Sequence, residues 1–332
     1  MKILLTGGTG FIGSHTAVAM AQSGHEVILF DNFCNSDCSV LDRLQSILGF
    51  RPAFEEGDIR DEKRLKEVLQ TYRPEAVVHF AGLKAVGESV QKPLEYYDNN
   101  ICGTVTLLRA MQQTGIKKII FSSSATVYGM PQYLPLDEGH PLSVTNPYGR
   151  TKLQIEEILS DLCASDPQWS AICLRYFNPI GAHESGLIGE NPRGIPNNLL
   201  PYVARVAAGQ LQAVQVFGND YDTPDGTGVR DYIHVMDLAD GHVRAAQYSQ
   251  THRGWIAINL GTGVGYSVLD IIHAYEKACG HPIAYRITER RPGDVASNWA
   301  NPQRAFELLG WKARYTLEDM CRDSWRFQQN CR

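Results

Sequence analysis

Short apolar runs alternate with amphipathic stretches through the first half of the chain. Lys2–Thr6 reads as a buried strand, and Val27, Ile28, Leu29 and Phe30 make Glu26–Asp31 a second one. Between them Phe11–Ser23 reads as a helix, with Gly24 as its stop. Asp61–Tyr72 sets Leu65, Val68, Leu69 and Tyr72 on one helical stripe with charges opposite. Ala76–Phe80, Ile119–Ser123 and Ala171–Tyr176 are further short strands, with helices near Pro93–Thr114 and Pro147–Cys163. Apolar strands separated by helices predict an α/β fold: a parallel sheet covered on both faces.

After Phe177 the texture changes. Asn178-Pro179, Asn191-Pro192, Asn197-Asn198 and Asp220–Gly228 are rich in loop formers. Shorter helical segments follow at Asn198–Gly209, Val235–Tyr248, Val268–Ala278 and Asn301–Leu309. This predicts two domains, residues 1–177 and a smaller α/β domain over 178–332 packed on the sheet's carboxyl edge. Part of 231–262 is open to assignment to the first.

Composition narrows the function classes. Of 332 residues, 43% are hydrophobic and 20% charged, as in ordinary globular chains. The net charge of −5 argues against a nucleic-acid surface, and Lys117-Lys118 and Arg290-Arg291 are isolated basic pairs. Met1–Gly7 holds too short an apolar core for an export signal, and no later stretch approaches the ~20 apolar residues of a membrane span. A cytoplasmic protein is expected. Eight cysteines show no paired spacing; Cys34 and Cys38 are the nearest, with no second pair or nearby histidine to complete a metal site. Reduced thiols and no metal are expected.

The strand-to-helix turn after Lys2–Thr6 reads Gly7-Gly8-Thr9-Gly10-Phe11-Ile12-Gly13. Glycines alone also fit a merely flexible turn; at the first strand–helix junction they fit the dinucleotide fingerprint of a Rossmann-type doubly wound sheet. Gly7 makes the tight turn, Gly10 admits backbone to a pyrophosphate at the helix N-terminus, and Gly13 allows close helix–strand packing. Asp31 lies eighteen residues beyond Gly13. A carboxylate there accepts from an adenosine ribose and repels a 2′-phosphate, so NAD is favoured over NADP. A strand-end turn residue is the plain alternative. Asp58 is placed to meet the adenine edge, and Phe80-Ala81-Gly82 puts small residues where a ring lies close.

Ser124 follows the fifth strand, and Asn146-Pro147-Tyr148-Gly149-Arg150-Thr151-Lys152 follows later. Tyr148 and Lys152 are four apart at a helix start and share a face. Such a pair alone is usually surface packing; downstream of an NAD fingerprint and a serine-bearing strand end it points to catalysis.

With these residues the chain resembles the extended short-chain dehydrogenase/reductases, and within them the UDP-glucose 4-epimerase family. The distinctive stretches are His79–Ser89, Arg175-Tyr176-Phe177-Asn178-Pro179, Gly194–Leu199 and Gly228–Val235. The similarity spans essentially the whole chain. It implies an isomerase whose Tyr148 takes the sugar 4-hydroxyl proton while C4 gives hydride to NAD, forming a 4-keto sugar. The sugar then turns over and receives the hydride on its other face. Ser124 is the implied proton bridge, and Lys152 holds the nicotinamide ribose.

A phenolate at pH 7 needs the tyrosine pKa of ~10 lowered by about 3, roughly 4 kcal/mol. One cation at ~4 Å supplies about 4 kcal/mol at an effective dielectric of ~20, so Lys152 is expected to nearly suffice, against burial. The positive nicotinamide is expected to supply the remainder.

The resemblance also implies cofactor contacts at Phe11, Ile12, Asn32, Asn35, Ser36, Ile59, Lys84, Asn99, Ser122 and Phe177. It implies a pyrophosphate clamp from Arg230 and Arg291, ribose contact from Asp294, and UDP-sugar contacts from Lys84, Asn178, Asn198, Leu199, Phe217, Tyr232 and Asn298. Relatives pair subunits through helices equivalent to Pro93–Thr114 and Pro147–Cys163, which implies a homodimer.

Related 4,6-dehydratases usually carry an acidic pair directly after the strand-five hydroxyl residue, and decarboxylases a glutamate in that region. Here Ala125 and Thr126 cannot act as acid and base. A non-catalytic NAD- or UDP-sugar-binding sensor is a further alternative, opposed by the intact Ser124, Tyr148 and Lys152. One departure stands out. Asn298 occupies a position where relatives restricted to glucose and galactose commonly have tyrosine. That substitution leaves room for an N-acetyl group and suggests that UDP-N-acetylglucosamine and UDP-N-acetylgalactosamine are substrates too.

Overall fold

The computed structural model describes residues 1–291 and 293–331. A seven-stranded parallel sheet forms its centre, from β1 (Lys2–Thr6), β2 (Glu26–Asp31), β3 (Ala53–Glu56), β4 (Ala76–His79), β5 (Lys118–Ser124), β6 (Ser170–Tyr176) and a late strand, β10 (Gly254–Leu260). Its order is β10-β6-β5-β4-β1-β2-β3. The chain leaves β1 in one direction and later returns to its other side at β4, which creates the switch point where such sheets bind ligands.

One face of the sheet is covered by α1 (Phe11–Gln22) and α2 (Ser39–Leu48), the other by α3 (Glu62–Tyr72) and α6 (Gly103–Thr114). Leu4 and Ile28 face one core and Ile3, Leu5 and Leu29 the other, as strand alternation requires. Asp61 caps α3 by accepting the Arg64 N–H at 3.0 Å. The helix expected over Pro93–Thr114 is divided. After α4 (Val86–Gln91), α5 (Pro93–Tyr96) passes into a π-helical segment, Tyr97–Cys102, before α6 begins. The extra residue per turn there turns Asn100 inward, where it is buried.

Beyond α7 (Pro147–Ser165), a smaller sheet is arranged around β9 (Val229–His234), flanked by β7 (Asn178–Ile180), β11 (Gly265–Ser267) and β13 (Ser297–Asn298). A two-stranded ribbon joins β8 (Val214–Phe217) and β12 (Tyr285–Thr288). A third core lies between α8 (Leu199–Ala207), α10 (Val268–Cys279) and α12 (Leu317–Asn330). The segment α9 (Val235–Tyr248) packs on α1, β10 pairs with β6, and α11 (Gln303–Leu309) packs on both. No helix among the described residues is long and apolar enough to cross a membrane. Among them no group of three or more His, Cys, Asp or Glu is placed to hold a metal ion.

Candidate active site

The carboxyl ends of β1, β4 and β5 meet at the switch point. The turn after β1 is made of close backbone contacts. Gly7 has φ +70°, and a Cβ there would lie 2.7 Å from the Ala81 nitrogen. At Gly13 a Cβ would lie 2.2 Å from the Gly7 carbonyl oxygen, so only glycine lets α1 approach β1 this closely. Gly10 precedes α1, whose first turn (Phe11, Ile12, Gly13) has neither a side-chain cap nor an acidic residue. Its leading N–H groups are therefore available to an anion.

Asp31 is buried at the end of β2. It accepts from the Thr9 N–H at 3.0 Å and the Phe33 N–H at 2.9 Å, while Ser36 Oγ sits 3.5 Å away. The carboxylate is thereby fixed beside the glycine turn. Asn35 is exposed at the rim, and Asn32 turns to Asp58, Nδ2 to Oδ2 3.1 Å. Asp58, expected at the adenine edge, is held by neighbouring side chains. Arg60 grips it through Nε at 2.9 Å and Nη2 at 2.8 Å, and these bonds hold its pKa down at about 2. Ile59 is another expected contact. Its side chain is buried against α6, where a Cβ on Gly103 would come within 2.6 Å, so any ligand contact is through its backbone.

Phe80 packs on His242, with ring centres 4.8 Å apart. A Cβ on Gly82 would lie 3.3 Å from Asn100 Oδ1 and 3.9 Å from Lys152 Nζ. Asn99, the expected contact, donates to Asn100 at 2.9 Å. Asn100 does the organising: it accepts the Leu83 N–H at 2.8 Å and donates to Leu83 O and Thr151 Oγ1, both at 3.0 Å. Only the asparagine doublet marked it in the sequence.

β5 and α7 bring Ser124, Tyr148 and Lys152 together. Asn146 caps α7, accepting the Gly149 N–H at 2.8 Å, and Pro147 occupies the first turn. Ser124 Oγ accepts the Thr126 N–H at 3.2 Å and lies beside Tyr148. Lys152 is buried; its ammonium donates to Ser122 O at 2.6 Å and lies 4.8 Å over the Phe121 ring. Its distance to the Tyr148 ring centre is 5.8 Å.

Burial raises the Tyr148 pKa above the usual tyrosine value, opposed by the neighbouring Ser124 hydroxyl and the charge of Lys84. This corrects the expectation that Lys152 nearly suffices to make the phenolate. Burial lowers the pKa of Lys152 to about 8 and its ammonium is tied to Ser122 O, 5.8 Å from the Tyr148 ring centre, so burial outweighs what Lys152 supplies to Tyr148, and Lys84 adds a second positive charge. On its own the chain holds Tyr148 as a neutral phenol near pH 7.

The opposite wall is the face of β9. Tyr232 pairs in register with Asn178 on β7, and Arg230 with Asn298 on β13. Alternation puts Arg230 and Tyr232 on one face, so Asn178, Tyr232, Arg230 and Asn298 form a row. Asp231 faces away. It accepts from Thr262 N (2.9 Å), Thr262 Oγ1 (2.6 Å), Gly263 N (2.9 Å) and Ala300 N (3.1 Å), which ties the loop after β10 and the exit of β13 to β9. Its organising role was not read from the sequence.

Asp294 sits between the two arginines, 3.1 Å from Arg291 Nε and 3.8 Å from an Arg230 nitrogen. The Arg291 guanidinium lies 4.6 Å over the Phe217 ring. Tyr232 is buried, which pushes its pKa up to about 12 against the pull of both arginines. Asn178 donates to Asp231 O at 2.9 Å. Asn298 Oδ1 is buried with no hydrogen-bond partner among the described residues.

A further residue links the walls. Glu190 accepts from Lys84 Nζ and from Asn198 Nδ2, each at 2.9 Å. No sequence pattern marks Glu190. Leu199, half-buried, opens α8 beside Asn198. Phe177, expected at the cofactor, has its ring buried with Ala125, Val127, Tyr128 and Ala300, so it joins the two halves by packing.

Fold and site together define an extended short-chain dehydrogenase/reductase. The family profile described as GDP-mannose 4,6 dehydratase matches residues 4–324. A UDP-glucose 4-epimerase of Bacillus subtilis is 56% identical over 330 residues, 99% of this chain and 97% of that protein. The crystal structure of UDP-glucose 4-epimerase from Stenotrophomonas maltophila with bound NAD and formylated UDP-arabinopyranose matches with TM-score 0.98 and 51% identity, over 100% of this chain and 98% of that one. The enzyme from Bifidobacterium longum in complex with NAD+ and UDP matches at 0.96 and 54%, over 99% and 98%. The chain belongs to the GDP-mannose 4,6-dehydratase family and, within it, to the UDP-glucose 4-epimerases. The acidic pair of a dehydratase is replaced by Ala125, buried, and Thr126, whose hydroxyl bonds Ser124 at 3.0 Å.

Proposed function

We propose that this protein is an isomerase that interconverts UDP-glucose and UDP-galactose, with NAD as a bound cofactor. The observation that carries the reading is Ser124, Tyr148 and Lys152 assembled at the switch point of a chain with this family membership. The uncapped start of α1, the glycine contacts around it and the fixed Asp31 carboxylate fit a dinucleotide lacking a 2′-phosphate. When bound, NAD takes hydride from sugar C4 and returns it to the other face of the resulting 4-keto sugar.

The chain's own groups do the rest. Tyr148 accepts the 4-hydroxyl proton through Ser124 and gives it back. Lys152 holds the nicotinamide ribose and, with Lys84, favours the phenolate once the cofactor's positive ring is alongside. Arg230 and Arg291 clamp the UDP pyrophosphate by forked hydrogen bonds, Asp294 leaves them for the uridine ribose, and Phe217 lies on the uracil side. Asn178, Asn198 and Leu199 line the diphosphate end. Residues 1–177 serve as the cofactor domain and 178–332 as the UDP-sugar domain, with α9 and β10 joined to the first. We further propose a cytoplasmic homodimer; Val90 and Leu94, 61% and 81% exposed on the helices beside α7, support a second copy there.

Epimerisation involves no net redox change. Purified protein should therefore convert UDP-galactose to UDP-glucose with no nicotinamide added. Dependence on stoichiometric added NAD, with NADH released, would indicate a dehydrogenase instead.

A second substrate pair is favoured by one observation. The unpartnered Asn298 Oδ1 lies in the β9–β13 row, where it can accept the N–H of a 2-acetamido group. On this reading the enzyme also interconverts UDP-N-acetylglucosamine and UDP-N-acetylgalactosamine. Absence of that turnover at high enzyme concentration would refute it.

A further inference from the structure

Three consecutive serines of β5 dock on three residues of α7. The carbonyl of Ser122 receives Lys152 Nζ at 2.6 Å, the hydroxyl of Ser123 donates to Glu156 Oε1 at 2.5 Å, and Ser124 lies beside Tyr148. Tyr148, Lys152 and Glu156 follow one another at intervals of four, which puts them on one stripe of the helix. Glu156 is 2% exposed, and it is neutralised by a guanidinium equally deep in the protein: Arg175 of β6 donates to it from Nε at 3.0 Å and from Nη2 at 2.6 Å.

Arg175 also donates to the Tyr128 hydroxyl at 3.1 Å. Tyr128 in turn donates to Asn259 Oδ1 at 2.6 Å, and Asn259 donates to Leu136 O at 3.0 Å. This buried chain runs from the helix through the sheet to its edge strand β10. A buried ion pair rarely adds stability over apolar side chains of the same volume, so its position behind the reactive lysine calls for another explanation.

We propose that Glu156, held by Arg175, is a positioning residue for the epimerisation reaction: it keeps the Lys152 ammonium charged in its buried place and fixes the end of β5 so that Ser122 and Ser124 meet α7 in register. This rests on the assignment of Tyr148, Ser124 and Lys152 given above. Several groups from surrounding elements face Lys152. Glu156 and Tyr148 lie on its own helix, Cys173 on β6, with Arg175 behind Glu156, and His79 on β4 between Thr6 Oγ1 and Thr104 Oγ1. Glu156, paired with Arg175, is the carboxylate among them, and it opposes the burial that draws Lys152 down. Burial keeps His79 neutral and holds the Cys173 proton in place.

The test is the pH dependence of kcat for UDP-galactose, measured on NAD-loaded enzyme. Activity falls as pH rises through the Lys152 pKa, because the uncharged amine no longer supports the phenolate. Glu156→Gln keeps the size and the acceptor oxygen but removes the charge. We expect its alkaline fall to move at least one pH unit lower, with kcat at pH 8 reduced about fivefold for the first unit and about tenfold for each further one, and KM within about twofold of wild type. Glu156→Asp, which keeps the charge, should leave the alkaline fall in place.

If Glu156→Gln does not fold, the pair Glu156→Gln with Arg175→Met is compared with Arg175→Met alone, so that the Glu156 charge is the one difference tested. A purely structural role lowers the thermal midpoint and scales kcat equally at all pH values. That outcome, with the alkaline fall unmoved in a folded variant lacking the Glu156 charge, would overturn the proposal. Loss of activity in Tyr148→Phe with an unmoved fall in Glu156→Gln sinks this inference alone. Full activity in Tyr148→Phe sinks the reading beneath it.

Discussion

On the side of the large sheet, the turn after β1 is built of backbone atoms and Lys152 is buried; on the β9 side, the charged groups are partly exposed side chains paired with each other. Gly7, Gly13 and the start of α1 make the first wall without a flexible atom, and Lys152 is 6% exposed with its ammonium already tied. Across the cleft the Arg291 side chain is 53% exposed, and its partner Asp294 is shared with Arg230. An exposed ion pair of this kind contributes at most about 1 kcal/mol, so exchanging Asp294 for a pyrophosphate costs little. The first wall is preorganised for a cofactor that stays bound through each cycle. The second can release and re-form, which suits a nucleotide sugar that enters and leaves.

The sharpest test of the first wall removes chemistry and leaves shape. In Tyr148→Phe the ring, its packing and the α7 cap are kept, while the proton acceptor is lost. We expect kcat to drop about 10²–10⁴-fold with UDP-sugar binding unchanged. Near-normal turnover would mean that another group accepts the proton.

Gly13→Ala addresses the same wall through its backbone. The added methyl would lie 2.2 Å from the Gly7 carbonyl oxygen, so α1 must withdraw from β1. Overpacking of this kind costs about 1–3 kcal/mol. We expect a lower melting temperature and protein purified largely without NAD, seen as a fall in the nicotinamide recovered on denaturation. Full NAD content would show that the turn tolerates movement and that the contrast between the walls is overstated.

Arg291→Ala probes the side-chain wall. A charge-assisted bond is worth about 1.5–3 kcal/mol, so UDP affinity should fall roughly 10–100-fold by titration calorimetry. Stability should be almost unchanged, because only an exposed pair and a stacking contact with Phe217 are lost. A fall in kcat at constant affinity would place the arginine away from the pyrophosphate.

The two walls also differed in how far the sequence disclosed them. The fingerprint and the Tyr148–Lys152 spacing are local patterns whose geometry follows from one strand, one turn or one helix. Asp31 and Ser124 are strand ends, again local. Asn100 escaped because a π-helical segment rotates it inward, and a 3.6-residue period cannot anticipate that. β7, β11 and β13, two or three residues each, exist only through pairing with β9, so no alternation announced them. The α12 stripe of Leu317, Met320, Cys321, Ser324 and Phe327 went unread because buried Asp323 and many exposed charges dilute it. Glu190 and Glu156 act through partners distant in sequence, and such pairing has no signature along the chain.

The smallest effect we expect lies at Asn298. The residue pairs with Arg230 across β13 and β9, and its Oδ1 has no hydrogen-bond partner among the described residues. A tyrosine there would replace that acceptor and fill the space beside the sugar, so a 2-acetamido substituent would lose its hydrogen bond and meet the ring. One lost hydrogen bond is worth about 0.5–1.5 kcal/mol, and crowding adds to it. We therefore expect Asn298→Tyr to lower kcat/KM for UDP-N-acetylgalactosamine about tenfold relative to UDP-galactose, while turnover of the plain sugar stays within about threefold of wild type. Because Arg230 remains in place, UDP affinity should not change, which separates an effect on the sugar from one on the nucleotide. If the N-acetylated sugar is turned over and the ratio does not move in the variant, the space that admits the acetyl group lies elsewhere on the β9 face, and the unpaired amide oxygen has no part in substrate choice.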